Sequence, residues 1–518
     1  MGEFMKTTLI SGNTTRREFL ASATLTSAGA ALLACRPGLL PAAEPGRTQA
    51  PGVAPAHSGN VRVYPAPEGE PLSKNFAVTV DDKKVPVYLA RICSLTIEER
   101  RAFGDSAWGD PESGTSLTAF ASFDIQDKVE VSVTLPRFTA VYSAKILPLS
   151  SGITPAIAGN TITFTIPKPG QYVLEVNDNW VNSLQIFANP FEVDVPSPDD
   201  PNVIYYGPGM HQVESIEVSS GKTLYVAGGA VIYGNFTPPA AGETHPRRGP
   251  IVSLAGDNIA VRGRGIIDGS KCPYHTRSLM EIRGKNIQVE GIVVRDSSTW
   301  TIPVHGSDQV KIGNLKLFGW RGNSDGIDIC GSRHVEVSGC YLRTFDDLVV
   351  VKTLKGQRPG EGESSDIVVK KCVLWNEFAH ALSLGAEMTK NVERVLFTDC
   401  DVVRDKGREW GLRVFQCDSG RIKDIVFENI RFDECQRYIS LWIGKFVWSS
   451  DQERGHIDDV TFRNIQASGS NALIELDGYD ADHAIHGVKF ENVVLNGKPI
   501  SAGDVKRNPF VDGVSIVP

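Results

Sequence analysis

One unit recurs from about residue 285 onward and narrows what the chain can fold into: apolar-x-apolar-x-x-apolar-x-apolar. It reads Ile287-Val289-Ile292-Val294, Val310-Ile312-Leu315-Leu317, Val335-Val337-Cys340-Leu342 and Ile367-Val369-Cys372-Leu374. It continues as Val395-Phe397-Cys400-Val402, Ile425-Phe427-Ile430-Phe432, Val460-Phe462-Ile465-Ala467 and Val488-Phe490-Val493-Leu495. The interval drifts between about 23 and 35 residues, which is solenoid spacing rather than that of a steady propeller blade. Period-two alternation sends one set of side chains inward and the other outward. A unit this short buries its apolar set only by stacking on copies of itself, about 4.8 Å apart, as parallel strands. Leu224–Ile232 and Ile259–Gly269 read as the first coils, with Gly at tight corners. The third apolar position is Cys in three successive units, at Cys340, Cys372 and Cys400. These are expected to be free, stacked interior residues behaving as small apolar groups. The fold class that follows is all-β, a right-handed parallel β-helix.

Residues 58–198 read differently. Val61-Tyr64, Phe76-Val80, Val129-Val133, Thr161-Ile166 and Gly170-Val176 alternate between turn residues, as in a small β-sandwich. The Pro/Asp run Val195-Pro201 marks the seam to a β-helix domain over 199–518. Residues 1–57 read as an address and a tether. Thr15-Arg16-Arg17-Glu18-Phe19-Leu20 fits a twin-arginine export signal, and an apolar stretch too short to span a bilayer follows. Leu32-Leu33-Ala34-Cys35 resembles a bacterial lipobox, which would make Cys35 the lipidated first residue of an exported protein. Ordinary cleavage near Pro41-Ala42-Ala43 is the alternative. The expected location is therefore periplasmic or cell-surface, tethered to the membrane through Cys35, or secreted. The net charge of −8 and the lack of any basic stripe argue against a nucleic-acid partner. No C-x-x-C pair occurs, and no metal site or cofactor is expected.

Chemistry concentrates on one edge of the stack. Asn323-Ser324-Asp325-Gly326-Ile327-Asp328 is followed one coil later by Phe345-Asp346-Asp347. Aligning Ile327-Asp328-Ile329 with Val349-Val350-Val351 sets Asp325 beside Asp347. The next coil brings His380 into that column, and the one after brings Arg413. Adjacent strand residues face opposite ways, so Asp346 and Asp347 reach one cleft only if the chain bends there. Carboxylates this close cannot all ionise. One kept protonated can act as general acid while its neighbour activates water, the two-carboxylate requirement of glycoside hydrolysis. Read without further help, an Asp-Asp pair also fits a solvated turn, and stacked Asp fits a Ca²⁺ site.

These residues resemble the motif set of glycoside hydrolase family 28, the polygalacturonases: Asn-Thr-Asp, Asp-Asp, Gly-His-Gly and Arg-Ile-Lys on successive coils. Here they read Asn323-Ser324-Asp325, Asp346-Asp347, Ala379-His380-Ala381 and Arg413-Val414-Phe415, with Gly263-Gly269 and Ser298-Thr299-Trp300 as further matches. The resemblance spans about residues 205–500 and implies a pectin-lyase-like solenoid that hydrolyses an α-linked polysaccharide with inversion and without metal. It implies that Asp346 is the general acid, that Asp325 and Asp347 hold the water, and that His380 supports the acid. It implies substrate contacts from Asn323 and Arg413, with Tyr438, Phe415, Trp300 and Trp410 as further candidates. Phe415 stands where the family has Lys, so a neutral sugar enters consideration. A sandwich ahead of a β-helix is also reminiscent of the family 49 dextranases and isopullulanases. The alternatives are a hydrolase of a neutral glucan, a polysaccharide lyase using Arg413 and Lys352, and a non-catalytic glycan-binding solenoid. The insertions 355–365 and 446–455 are expected to wall the cleft.

Overall fold

The computed structural model describes residues 59–95, 99, 114–236, 249–356, 361–407, 409–469 and 473–518. The export signal, Cys35 and the tether lie outside these residues.

The chain is all-β: a sandwich followed by a right-handed parallel β-helix. In the sandwich, a five-stranded sheet built on Ala77–Val80, Val129–Thr134 and Thr161–Ile166 faces a six-stranded one built on Val87–Cys93, Thr115–Ile125, Gly170–Val176 and Asn179–Pro190. Val78, Val131, Phe123, Ile162 and Leu184 fill the space between them.

The β-helix has three parallel faces. One face runs through Ile266–Asp268, Val293–Arg295, Lys316–Phe318, Tyr341–Thr344, Val373–Asn376 and Asp401–Asp405, and the sandwich covers it. A second, the floor of the groove described below, runs through Ile302–His305, Ile327–Cys330, Val349–Thr353, Leu382–Met388, Leu412–Gln416 and Ile439–Ile443. Its register stacks Ile327, Val349, Leu382, Leu412 and Ile439 inside the tube.

The recurring unit has a local cause. The residue just before the third apolar position has positive φ in all eight units: Gly291, Asn314, Gly339, Lys371, Asp399, Asn429, Asn464 and Asn492. Six of the eight are Gly or Asn, the residues that tolerate the left-handed region best, and Asp399 follows them; Lys371 is the exception. That single left-handed residue makes the corner and inserts the second x that breaks period two. Asn side chains then ladder: Asn492 Nδ2 donates to Asn464 Oδ1 at 2.9 Å, and Asn464 to Asn429 at 2.9 Å. Cys340, Cys372 and Cys400 stack in register inside the tube, fully buried and free of disulfides, as the pattern implied.

Candidate active site

The acidic residues sit on turns between the sandwich-covered face and the floor. Asp325 lies in the turn 319–326, Asp346 and Asp347 in 345–348, His380 in 377–381. Backbone pairing extends from the floor strands into these turns. Gly326 N–H donates to Asp347 O at 2.7 Å, and Leu348 N–H to His380 O at 2.9 Å. Asp325, Asp347 and His380 are therefore equivalent positions on successive coils, as the alignment implied. Gly326 is required where it stands, because a Cβ there would sit 2.3 Å from Leu348 O.

The bend needed to aim two adjacent Asp residues at one place is present. Thr344 Oγ1 caps the turn by donating to Asp346 O at 2.6 Å. The Asp346 carboxylate then reaches back one coil. Its Oδ2 accepts the Asn323 N–H at 3.0 Å, and its Oδ1 accepts the Asp347 N–H at 3.0 Å. Asn323, with φ of 55°, contributes its backbone here. One carboxylate oxygen from each of Asp325, Asp346 and Asp347 lies within 4.8 Å of the other two.

Two cationic arms frame the trio. Asp347 Oδ1 pairs with His380 Nδ1 at 2.5 Å, His380 Nε2 meets the Arg413 guanidinium at 3.4 Å, and Arg413 pairs with Glu409 at 2.7 Å. On the other side Lys352 Nζ donates to Asp325 Oδ2 at 3.0 Å and to Asp328 Oδ1 at 2.9 Å, and stands 4.0 Å from Asp347 Oδ2. The Trp300 ring lies 4.2 Å from the same ammonium. Burial, reinforced by the charges of Asp325 and Asp347, pushes the Asp328 carboxyl well above its usual range, although Lys352 opposes the shift. The sequence analysis named Lys352 only as a base for the lyase alternative; with Val349 and Val351 inward, residue 352 faces the groove. Nothing in the sequence pointed to Glu409.

Past Arg413 the groove turns aromatic. The guanidinium lies 4.0 Å from the Phe415 ring centre, and Phe415 meets Trp442 at 5.0 Å and Phe446 at 5.5 Å. Lys355 ties the two insertions together, bonding Ser450 O and Asp451 Oδ1 at 2.8 Å each. Residues 357–360 of the first insertion lie outside the described residues.

Some candidates are placed elsewhere. Tyr438 is a correction. It precedes the strand Ile439–Ile443 with its ring turned into the tube, fully buried against Phe432 at 5.9 Å, and does not line the groove. Trp375, one of the tryptophans on these coils, is also fully buried, under the sandwich and stacked on Arg343 at 3.8 Å. Trp410 is largely buried, with Arg437 5.6 Å from its ring.

Hydrogen bonds from behind hold the His380 turn. Asn376 Nδ2 donates to Ala379 O at 2.7 Å and to Asp405 Oδ1 at 2.6 Å. Burial raises Asp405 to about 6 despite those hydrogen bonds. The folded state therefore binds more protons than the unfolded one between pH 4 and 6, so this group's contribution to stability falls as pH rises through that window and is level above it. Asp405→Asn removes the titration. The difference in urea unfolding free energy between wild type and variant is expected to change by about 3 kcal/mol from pH 4 to 7. A difference that stays constant with pH would contradict this.

Comparison with known proteins shows what the groove-bearing half of the chain is similar to. Residues 255–508 match Glycosyl hydrolases family 28. A polygalacturonase of Juniperus ashei is 29% identical over 263 residues, covering 45% of this chain and 49% of that protein. One from Chamaecyparis obtusa is 26% identical over 275 residues, 50% of each chain. The chain thus spans about half the length of these curated relatives. In three dimensions it resembles Dex49A from Penicillium minioluteum with a TM-score of 0.62 at 14% identity, over 89% of this chain and 96% of that one, a likeness of fold. Over residues 255–508, behind the β-sandwich, the chain is thus similar to the glycosyl hydrolases of family 28.

Proposed function

We propose that the chain is a polygalacturonase-like glycoside hydrolase that cleaves an α-linked polysaccharide in the groove. The observation that carries this is the convergence of Asp325, Asp346 and Asp347 from two successive turns, with oxygens within 4.8 Å of one another. Oxygens this close let one water donate to Asp325 and Asp347 together. Asp346 protonates the leaving oxygen, Asp325 and Asp347 hold and activate the water, and His380 fixes Asp347. Arg413 and Asn323 contact the sugar, and the half-buried Trp300 flanks it. Inversion is carried over from the family. Proton NMR of the first-formed anomer tests it: a product of opposite configuration to the substrate supports inversion, and one of the same configuration overturns it. A lyase reading loses its bases: Lys352 donates to two carboxylates and Arg413 to Glu409.

One observation favours a second reading of the substrate. Phe415, packed beneath the Arg413 guanidinium and against Trp442 and Phe446, stands where the family's Lys would meet a uronate, and the missing ammonium suits a neutral pyranose. We further read 1–57 as an export leader and linker, 58–198 as the sandwich and 199–518 as the catalytic solenoid, with Cys35 lipidated. The test is reducing-sugar release from polygalacturonate, rhamnogalacturonan, dextran, pullulan and arabinan, assayed on soluble and membrane fractions of expressing cells. Turnover of one polymer supports the hydrolase and names its substrate class, and release from none of them overturns the reading. Phe415→Lys is expected to shift preference toward polygalacturonate by about tenfold; no shift removes Phe415 from the specificity argument. Membrane-bound activity freed by Cys35→Ser supports the tether, and activity that is soluble from the start rules it out.

A further inference from the structure

Buried acidic clusters need a counter-charge. Asp325, Asp328, Asp346 and Asp347 are all buried, and three of them present oxygens at metal-ligating spacing. Left alone, such a group would either take up protons or recruit a cation, since burying several unpaired carboxylates is prohibitive.

The space bounded by Asp325, Asp328 and Asp347 is already filled by an ammonium. Lys352 is 1% exposed. Its Nζ contacts one oxygen of Asp325 and one of Asp328 and comes to 4.0 Å from Asp347, while the Trp300 indole closes another side at 4.2 Å. Three carboxylates and an aromatic face around one positive charge form a coordination shell in which nitrogen takes the place of a metal ion. The two carboxylates it bonds differ in place: Asp328 lies within the floor strand Ile327–Cys330, wholly buried. Asp325 stands in the column with Asp347 and His380, where an ionised base is needed.

We propose that Lys352 is the resident cation of this centre: a positioning residue that keeps Asp325 ionised and occupies the place a divalent ion would otherwise take. The inference rests on the hydrolytic reading for its kinetic consequence, but its binding consequence needs no substrate. With Lys352 present the cluster has no vacancy for a metal. With it removed, the same carboxylates become a hard-oxygen site beside an indole.

The experiment has two arms. In the first, terbium(III) is titrated into the full chain and tryptophan-sensitised luminescence is read. Wild type is expected to give none above a non-specific background, and Lys352→Ala to give saturable emission that Asp325→Asn in the same chain abolishes. Saturable emission from wild type, or none from a folded Lys352→Ala, overturns the proposal. In the second arm, on whichever polymer is turned over, Lys352→Met is expected to lower kcat by about 10²- to 10⁴-fold with KM little changed. The acid limb of its pH profile is expected to move to higher pH, because the base now protonates more readily. Lys352→Arg, which keeps the charge, should recover at least about tenfold of that loss. A folded Lys352→Met with wild-type kcat and pH profile would mean that the side chain only fills space. If no polymer is cleaved, the hydrolytic reading fails while the terbium arm still decides the role of Lys352.

Discussion

Asp346→Asn is expected to abolish turnover of the natural polymer, by about 10²- to 10⁴-fold, while leaving the fold intact. The carboxylate of Asp346 accepts two backbone N–H groups, from Asn323 and from Asp347. An Asn side chain keeps the shape and one acceptor but turns its NH₂ toward one of those donors. The stability cost is that of one misdirected hydrogen bond, about 1–3 kcal/mol, and circular dichroism and thermal melts should show a folded protein. What the amide cannot do is deliver a proton to the leaving oxygen. That deficit matters only when the leaving group needs the proton, so an activated glycosyl fluoride should be cleaved by Asp346→Asn far closer to the wild-type rate than the polymer is. Asp325→Asn should behave differently, losing both substrates alike, because water activation is required whatever departs. If Asp346→Asn loses fluoride and polymer to the same degree, Asp346 is not the acid and the roles within the trio must be reassigned.

The column of Asp325, Asp347 and His380 was legible in the sequence because it is a consequence of register. Once the apolar unit fixes which residues stack, every turn residue inherits a neighbour one coil away. Tyr438 was misplaced because that register was not carried one coil further: its carbonyl accepts the Leu412 N–H, so it stacks after Leu348, Ala381 and Gly411, one position past the column, and its ring enters the tube beside Phe432. Lys352 lies on the groove side by alternation, yet its partners were not legible, because Asp325 and Asp328 reach it from one coil and Trp300 from the coil before. In the sandwich, Thr161–Ile166 and Gly170–Val176 were readable at their observed bounds, whereas Thr115–Ile125 and Asn179–Pro190 were not. The last two belong to a sheet buried on both faces. Phe123 and Leu184 point to the partner sheet, while Phe120 and Phe187 meet Phe318 and Tyr341 of the β-helix. Apolar residues on both faces erase the in-out alternation by which a strand is recognised, whereas Gly170–Val176 of the same sheet stays readable because Gln171 and Glu175 face the β-helix and meet Asn314 and Arg404.

That double burial makes the junction between sandwich and β-helix a second core, and Arg295→Met is expected to destabilise it by about 3–5 kcal/mol. Arg295 rises from the covered face and is almost wholly buried. Its guanidinium pairs with Asp268 at 2.5 Å and with Glu70 of the sandwich at 2.6 Å, and donates to Leu89 O at 2.7 Å. Burial works against its charge, but Asp268 and Glu70 more than compensate and hold it charged. Arg264 and Arg404 repeat the arrangement on other coils, reaching Asp124 and Glu175 of the sandwich. Methionine replaces the stem of Arg295 but leaves two buried carboxylates facing each other with no cation. Calorimetry or urea melts should show the transition moving down and splitting, with the sandwich lost first. The cause can be separated from simple loss of packing. Glu70→Gln and Asp268→Asn, added to Arg295→Met, remove the stranded charges without restoring the arginine, and should recover a large part of the loss. If the triple variant is no more stable than Arg295→Met alone, the stranded charges are not the cost, and the arginine holds the junction by shape and by its bond to Leu89 O instead.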